Sequence, residues 1–363
     1  MIIVVKIGTS SLTDAHGDID VHAIDKLAGE VAGLRGQGHR VVVVTSGAIA
    51  AGLPALGLAQ QRPTDLATLQ AVSAVGQSRL LRVYDDCLAK HSLVGGQVLL
   101  APLDFAHRSQ YLHARQTVTR LLELGVVPIV NENDAIADDE IRFGDNDRLA
   151  ALVAHLIRAD MLLLLTDTPG LFTADPRHDG EASLIEEVVE VDHRLEEVAG
   201  GVGSPLGSGG MASKLAAAKI AAWSGVRAVI AAASRPGVLA EAVAGTPGVG
   251  TVVRPHDRRL PARKLWIAFA LGAAGTIIVD DGARRAVVER NTSLLPAGVI
   301  GVKGSWGVDD AVEISGADGQ VFAKGLSRYS SARVDELRGR RSAELPAEMP
   351  HEIVHRDDLV VLV

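Results

Sequence analysis

Two lysines in separate glycine-rich segments are the residues best suited to chemistry. Lys6 stands at the end of a short apolar run and is followed by Gly8 and three hydroxyl residues, whereas Lys214 follows a segment with six glycines between residues 200 and 210. An ammonium group is a mobile positive charge, and the N–H groups of a glycine-rich loop are free donors, so both segments suit a phosphate group. Taken singly, the first is also consistent with an ordinary strand turn and the second with a mobile linker.

Clusters of carboxylate and amide residues provide a second kind of chemistry. Residues 131–134 read Asn-Glu-Asn-Asp after a predicted buried strand, and residues 145–147 read Asp-Asn-Asp before a predicted helix. Helix capping would explain Asn146 or Asp147 alone, but not two clusters that bracket one predicted hairpin. Together they predict a site for an ammonium group or a cation. Ser46 and Gly47 join a strand to a helix, which suits either an anion or a plain tight turn.

The elements that must position these residues alternate between strand and helix. Short β-branched or leucine runs predict strands, and apolar residues at helical spacing predict helices. This alternation predicts an α/β domain over residues 1–255, with an open, mostly parallel sheet and helices on both faces. Ligands of such sheets lie at the carboxyl ends of the strands, where the segments above would meet. The predicted strands are residues 2–5, 40–45, 94–100, 125–130, 161–165 and 227–232, and the predicted helices are residues 20–36, 65–90, 107–124, 192–199 and 214–224, with a further helix ending at 158.

The last third of the chain has a different pattern of apolar runs and turn residues. Residues 256–273 begin with a basic stretch that contains two prolines and are predicted to be a linker. Residues 274–363 contain short apolar runs separated by Asp-Gly and glycine-rich turns, which predicts a small β-rich domain. This segment carries 11 Lys and Arg against 14 Asp and Glu, a balance that argues against nucleic-acid binding. The predicted strands here are residues 276–279, 286–288, 311–314 and 321–323.

Composition narrows the class of protein further. The chain has 363 residues, a net charge of -8 and only 3% aromatic residues, so base stacking and a general attraction to nucleic acid or anionic membrane are not expected. Its single cysteine, Cys87, excludes an internal disulfide and fits a reducing compartment. No apolar run reaches membrane-span length and no export signal is visible, so a cytoplasmic location is expected.

With these segments in place, the chain resembles the amino acid kinase family, and more narrowly the branch that phosphorylates glutamate. The C-terminal segment resembles a PUA domain. The first resemblance rests on residues 4–10, 44–49, 74–79, 131–134, 144–147, 165–167, 173–177 and 209–211, and the second on residues 282–283, 293–298 and 325–329.

The resemblance implies ATP-dependent phosphorylation of the side-chain carboxylate of L-glutamate, the first step of proline synthesis. A carboxylate acceptor is ionised at pH 7, because its ordinary pKa is about 4.3, so no general base is needed. The implied catalytic residues are Lys6, Lys214 and Asp147, with Asp147 orienting the two lysines. The implied glutamate-binding residues are Ser46, Gly47, Asn131, Asp134, which faces the α-ammonium group, and Asn146. The implied ATP-binding residues are Lys6, Gly8, Thr166, Asp167, Ser208, Gly209, Gly210, Met211, Ala212, Ser213 and Lys214.

Further expectations follow from the same resemblance. Mg²⁺ is expected on the nucleotide phosphates, with no ligand set of the protein's own. Proline is expected as a feedback inhibitor at the glutamate site, glutamyl-phosphate reductase as a partner, and a dimer or tetramer as the assembly. The family often has a hydroxyl residue where this chain has Ala212, so a hydrogen bond from that position is in doubt. The alternatives are a related kinase that acts on aspartate, acetylglutamate, carbamate or UMP, and an RNA-binding regulatory protein.

Overall fold

The computed structural model describes residues 1–363 except 61, 106, 137–145, 176–178, 201–209, 258, 342–343, 345, 347–348 and 363. Two compact units make up the chain, Met1–Arg259 and Leu260–Val363. None of the described helices is long and apolar enough to cross a membrane.

The first unit is built on a sheet of eight strands. The order across the sheet is β3-β4-β2-β1-β5-β7-β8-β6. Neighbouring strands are parallel except for β7 and β8. This confirms the predicted mostly parallel α/β sheet, and it places β1 and β5 at the centre. The strands are β1 (Ile2–Ile7), β2 (Arg40–Val44), β3 (Gly95–Leu100), β4 (Val127–Glu132), β5 (Met161–Thr166), β6 (Glu187–Val188), β7 (Arg227–Ala232) and β8 (Thr251–Val253).

Helices cover both faces of this sheet. Ile3, Val5 and Ile7 of β1 join a buried apolar cluster with residues of α1, α3 and α8. Alternate side chains of a strand point to opposite faces, and Lys6 reaches α5 on the other side, where α5 packs against α7. The helices are α1 (Val21–Gly36), α2 (Ala48–Gly52), α3 (Leu66–Ala89), α4 (Arg108–Glu123), α5 (Asn146–Leu156), α6 (His193–Val198), α7 (Met211–Trp223) and α8 (Val238–Ala244).

A close approach between α2 and α3 fixes the loop that carries Ser46. A Cβ atom on Gly76 of α3 would lie only 1.7 Å from the carbonyl oxygen of Ala48, and one on Gly52 would lie 2.1 Å from that of Val72. Only glycine permits backbones this close. Gly47, just before α2, has a φ of 97°, a conformation that glycine adopts without strain. These glycines therefore set the position of the Ser46–Gly47 turn.

The second unit contains a five-stranded sheet in the order β10-β9-β11-β12-β13, which confirms the predicted β-rich domain. One predicted strand was wrong, because residues 286–288 lie in helix α10. Asp280 caps this helix by accepting the N–H of Ala283, and of its residues only Val287 is fully buried; three apolar residues are too few to reveal a helical period. The elements are α9 (Ala262–Leu265), β9 (Gly275–Val279), α10 (Asp281–Arg290), β10 (Val299–Gly304), β11 (Ala311–Ser315), β12 (Val321–Leu326), α11 (Ser331–Leu337) and β13 (Leu359–Val361).

Part of the segment predicted to be a linker is folded into the second unit. It contains α9 and a π-helical turn, Trp266–Ala270. Ile267 is buried in an apolar cluster with Leu326 and Val360. The buried ammonium group of Lys324 donates to the carbonyl oxygen of Leu271. The segment thus packs as part of this unit from Leu260 onward.

Candidate active site

Two lysines from distant parts of the chain meet on one carboxylate. Lys6 Nζ lies 2.6 Å from Asp147 Oδ1, and Lys214 Nζ lies 3.2 Å from Asp147 Oδ2. All three residues are almost inaccessible to solvent: the exposed fraction is 3% for Lys6, 4% for Lys214 and 1% for Asp147. Asp147 therefore bridges β1 on one side and the first turn of α7 on the other.

Asp147 is ionised in this arrangement. Burial would raise the pKa of its carboxyl group, but the charges of Lys6 and Lys214, together with hydrogen bonds, outweigh burial and hold the pKa below its ordinary value. Two cations thus share this carboxylate in a low-dielectric place. Both lysines also line the neighbouring cavity, where an anionic ligand would meet them.

Ser213 ties the start of α7 to the same carboxylate. Its hydroxyl lies 2.7 Å from Asp147 Oδ2 and 3.0 Å from the carbonyl oxygen of Gly210. Gly210 is the residue before the helix. The contact holds the end of the glycine-rich segment next to the lysine pair.

An adjoining network of amides lines the site. Asn146 Nδ2 donates to Ser46 Oγ over 2.9 Å and to Asn131 Oδ1 over 3.1 Å. Asn131 lies within β4, which runs two residues beyond the predicted strand because its parallel pairing with β3 continues through Glu132. Asn146 and Asp147 are the first two residues of α5, so their side chains face the site from a helical backbone.

Among the residues that the structure describes, no lysine or arginine forms an ion pair with the carboxylate of Asp134. It follows β4 in a short 3₁₀ turn and accepts a hydrogen bond of 2.6 Å from Ser73 Oγ. Burial raises the pKa of Asp134, and the hydrogen bond from Ser73 opposes this only in part. A partly buried carboxylate of this kind gains from a cationic ligand.

These groups line one cavity of about 730 Å³, within the size range of small-molecule sites. Thr166, at the end of β5, donates its hydroxyl to Asp167 Oδ1 over 2.9 Å. Of the residues predicted from the sequence, those that line this cavity are Lys6, Gly8, Ser46, Gly47, Asn131, Asp134, Asn146, Thr166, Gly210 and Lys214.

Other predicted residues lie outside this cavity. Asp147 sits behind the lysines, and Asp167 faces a second, smaller cavity of about 320 Å³ between α1 and the ends of β5 and β7. Met211, Ala212 and Ser213 form the first turn of α7 and do not line either cavity. Ser208, Gly209 and the hairpin predicted between the acidic clusters, residues 137–145, lie outside the described residues.

Two residues of α3 contribute to the site without having been predicted to do so. Ser73 holds Asp134, and Gln77 contacts both Asn131 and the backbone of Glu132. Gln77 stands in a segment, residues 74–79, that carries the family resemblance. That resemblance was the signal that could have drawn attention to it.

Known proteins resemble this chain over nearly its whole length. The amino acid kinase family profile matches residues 1–232, and the PUA domain profile matches residues 275–349. The glutamate 5-kinase of Pelobacter propionicus is 45% identical over 99% of this chain and 97% of its own length. The glutamate 5-kinase of Rhodococcus jostii is 48% identical over 99% of this chain and 96% of its own length.

Similarity to a solved structure supports the fold of the first unit but indicates no function. An isopentenyl phosphate kinase superposes with a TM-score of 0.50 at 19% identity, and the match covers 70% of this chain and all of that one.

Proposed function

The chain belongs to the amino acid kinase family, and we propose that it transfers the γ-phosphoryl group of ATP to the side-chain carboxylate of L-glutamate. This is the activity named for its relatives, with which it aligns over 99% of its length, and it would be the first step of proline synthesis. The observation that carries the mechanism is the buried Lys6–Asp147–Lys214 bridge in the wall of a cavity.

The two lysines stabilise negative charge and do not transfer protons. The acceptor carboxylate is already ionised at neutral pH, so the obstacle is the approach of one anion to another. Phosphoryl transfer is governed by positioning and by stabilising charge on the moving group. Lys6 and Lys214 supply two positive charges at one point of the cavity, and they stabilise the γ-phosphoryl oxygens during transfer.

Asp147 is the residue that makes this pair possible. Two ammonium groups so close would repel each other in a low-dielectric site. The carboxylate offsets this repulsion and fixes both nitrogen atoms, so that no reorganisation is needed when the phosphoryl group arrives. Ser213 extends the same hold to the end of the glycine-rich segment.

The amide and carboxylate side of the cavity binds the amino-acid end of glutamate. Asp134 is the partner for the α-ammonium group, since its carboxylate is partly buried and, among the residues that the structure describes, accepts a hydrogen bond only from Ser73. Asn146, Asn131 and Ser46 provide neutral hydrogen-bonding groups beside it. Gly47 leaves room for the ligand at the turn before α2.

The nucleotide lies toward Thr166 and Gly210, at the carboxyl edge of β5 and the start of α7. Asp167, Ser208, Gly209, Met211, Ala212 and Ser213 belong to the same proposed ATP site. The described residues contain no cluster of three or more His, Cys, Asp or Glu side chains that could hold a metal ion. Mg²⁺ is proposed to be held by the phosphates of the nucleotide. Bound there, Mg²⁺ supplies further positive charge to the triphosphate.

Proline would compete with glutamate at Asp134, because it shares the amino and carboxyl groups of the substrate. A cytoplasmic location, a dimer or tetramer, and delivery of the acyl phosphate to a reductase would fit a biosynthetic kinase. Related acceptors, namely aspartate, acetylglutamate, carbamate and UMP, are the competing substrates.

Trapping of the product with hydroxylamine tests the proposed function. Hydroxylamine displaces phosphate from an acyl phosphate to give a hydroxamate, which forms a coloured complex with added iron(III). The expected result is a signal that requires both ATP and L-glutamate. ADP release should be measured with each competing acceptor under the same conditions. A hydroxamate signal absent with glutamate, or faster turnover of another acceptor, would contradict the proposal.

A further inference from the structure

A second group of polar side chains lies at the far end of helix α5 from the candidate active site. The helix begins with Asn146 and Asp147, and His155 follows roughly 14 Å further along at about 1.5 Å per residue. The ring of His155 lies beside that of Tyr111 on α4, with 6.5 Å between the two ring centroids. Both residues are half-buried, and neither lines the two cavities described above. This contact joins the end of α5 to α4.

Three arginines lie around these two rings. Arg115 is four residues after Tyr111 on α4, a spacing that makes side chains neighbours on a helix. Arg158 follows directly on the last turn of α5, and Arg259 donates to the carbonyl oxygen of Gly225 over 3.3 Å.

The three charges act on the same imidazole group. Burial, and then the charges of Arg158, Arg259 and Arg115, lower the pKa of His155 to about 4. Arg115 and Arg158 also act on Tyr111, where they oppose the rise in pKa that burial causes. His155 is therefore neutral at pH 7, and it lies in a positive field.

No carboxylate of the described part of the chain balances these charges. None forms an ion pair with Arg115, Arg158 or Arg259, and none is among the groups whose charge acts on His155. Another arginine of α4, Arg120, is by contrast paired with Glu123 at 3.0 Å. Cations that gather beside half-buried rings without an anion repel one another, so the arrangement favours an anionic ligand.

The backbone of Arg158 gives an independent indication. Its φ is 53°, and its N–H donates to the carbonyl oxygen of His155 over 3.1 Å. Glycine or asparagine usually takes this left-handed conformation at the end of a helix, because other residues adopt it at a cost. Such outliers cluster at functional sites. The negative end of the α5 dipole would account for one cation here, but Arg115 and Arg259 come from other elements.

We propose that Tyr111, Arg115, His155, Arg158 and Arg259 form a second anion site, which binds a tetrahedral oxyanion of the phosphate class. The planar guanidinium group presents paired N–H donors that match the oxygens of a phosphate. The neutral imidazole of His155 adds one N–H donor, and Tyr111 adds one O–H donor. The site is distinct from the proposed kinase site, and it does not depend on the substrate of that site.

The pKa of His155 is the most specific readout, measured by NMR on the full chain with His155→Gln to assign the signal. A non-hydrolysable ATP analogue occupies the kinase site throughout. Sulfate serves as the probe, because it stays a dianion over the whole pH range, and chloride at equal ionic strength is the reference. A bound dianion favours the imidazolium form, so the pKa of His155 should be higher in sulfate than in chloride by about one unit or more.

Two variants test the arginines by calorimetry with inorganic phosphate at pH 7.5, again with the ATP analogue bound. Arg115→Gln and Arg158→Gln should each weaken phosphate binding about tenfold or more, the effect of losing a charged hydrogen-bond donor. Arg120→Gln is the matched control, since it removes the same charge from an exposed position on α4. This control should bind phosphate as the wild type does.

Two results would overturn the second anion site. One is a pKa of His155 that is the same in sulfate and in chloride. The other is an equal loss of phosphate affinity in Arg115→Gln, Arg158→Gln and Arg120→Gln, which would show a general attraction of anions to positive charge. Glutamate-dependent turnover bears only on the proposed function, and it should be retained in all three arginine variants.

Discussion

Replacement of Asp147 by asparagine removes a carboxylate that the two lysines share. The variant keeps the size and most of the shape of the side chain, so the change is one of charge. It leaves two ammonium groups in a place where less than a twentieth of each lysine is exposed. The consequences for stability and for catalysis can be estimated separately.

The stability effect follows from the burial of the cluster. At the N–O distances of 2.6 and 3.2 Å in the structure, each ion pair has a gross attraction of about 5–6 kcal/mol at an effective dielectric constant near 20. Most of that offsets desolvation, and removal of one partner from a buried pair costs about 3–5 kcal/mol. For a unit of this size the melting temperature should fall by about 6–20 °C.

The assay is thermal unfolding with and without ATP, combined with steady-state kinetics. ATP should raise the melting temperature of Asp147→Asn by more than it raises that of the wild type, because the triphosphate replaces the missing anion. The kcat should nevertheless fall by about 10²- to 10³-fold, as for loss of a preorganised charge-stabilising group. Asp25→Asn is the control, since Asp25 also pairs with a lysine, Lys90, at 2.8 Å, but on the exposed surface.

The reasoning would be refuted by a variant that behaves like this control. If Asp147→Asn melted within about 2 °C of the wild type and kept its turnover, the bridge would be neither structural nor catalytic. A large loss of stability without any extra stabilisation by ATP would place the phosphate away from the lysines.

Lys6→Met and Lys214→Met should each lower kcat by about 10²- to 10³-fold in an ADP-release assay, and unchanged turnover in either variant would remove that lysine from the mechanism. The KM for glutamate should rise as the pH falls through the raised pKa of Asp134, because only the ionised carboxylate binds an ammonium group. Ser73→Ala should move this rise to higher pH, since it removes the hydrogen bond that lowers the pKa of Asp134. Identical pH profiles of KM for the wild type and Ser73→Ala would contradict this. Gly76→Ala should destabilise the protein by about 1–3 kcal/mol or more through overpacking, because the new Cβ would lie 1.7 Å from the carbonyl oxygen of Ala48. Thermal unfolding measures this, and an unchanged melting temperature would show that α2 and α3 can move apart at no cost.

The central strands could be predicted from sequence because their residues are apolar on both faces. β1, β2, β5 and β7 are short runs of Ile, Val, Leu and Ala that lie between helices. β6 and β8 were not predicted, since two and three residues are too few to show a pattern. The antiparallel pairing of β8 with β7 could therefore not be predicted from the sequence either.

The loops of the candidate site could be placed together for a topological reason. Lys6, Ser46, Asn131 and Thr166 follow or end parallel strands, and parallel strands of one sheet end at a common edge. The structure brings all four to one cavity. Their roles in binding remain predictions.

The contribution of α3 could not be predicted in the same way. Ser73 and Gln77 are polar residues one turn apart on a long helix, a spacing that usually marks a solvent-facing stripe. They reach the site because α2 packs tightly over Gly76 and turns this part of α3 toward β4. Such a contact depends on tertiary packing, which no local pattern reports.

The most direct test of the account is a crystal structure with a non-hydrolysable ATP analogue and L-glutamate. The account predicts that Lys6 Nζ and Lys214 Nζ both lie within about 3.2 Å of γ-phosphoryl oxygens, on the side from which the glutamate carboxylate approaches. A complex in which either ammonium group stays beyond hydrogen-bonding distance of the γ-phosphoryl group would contradict it.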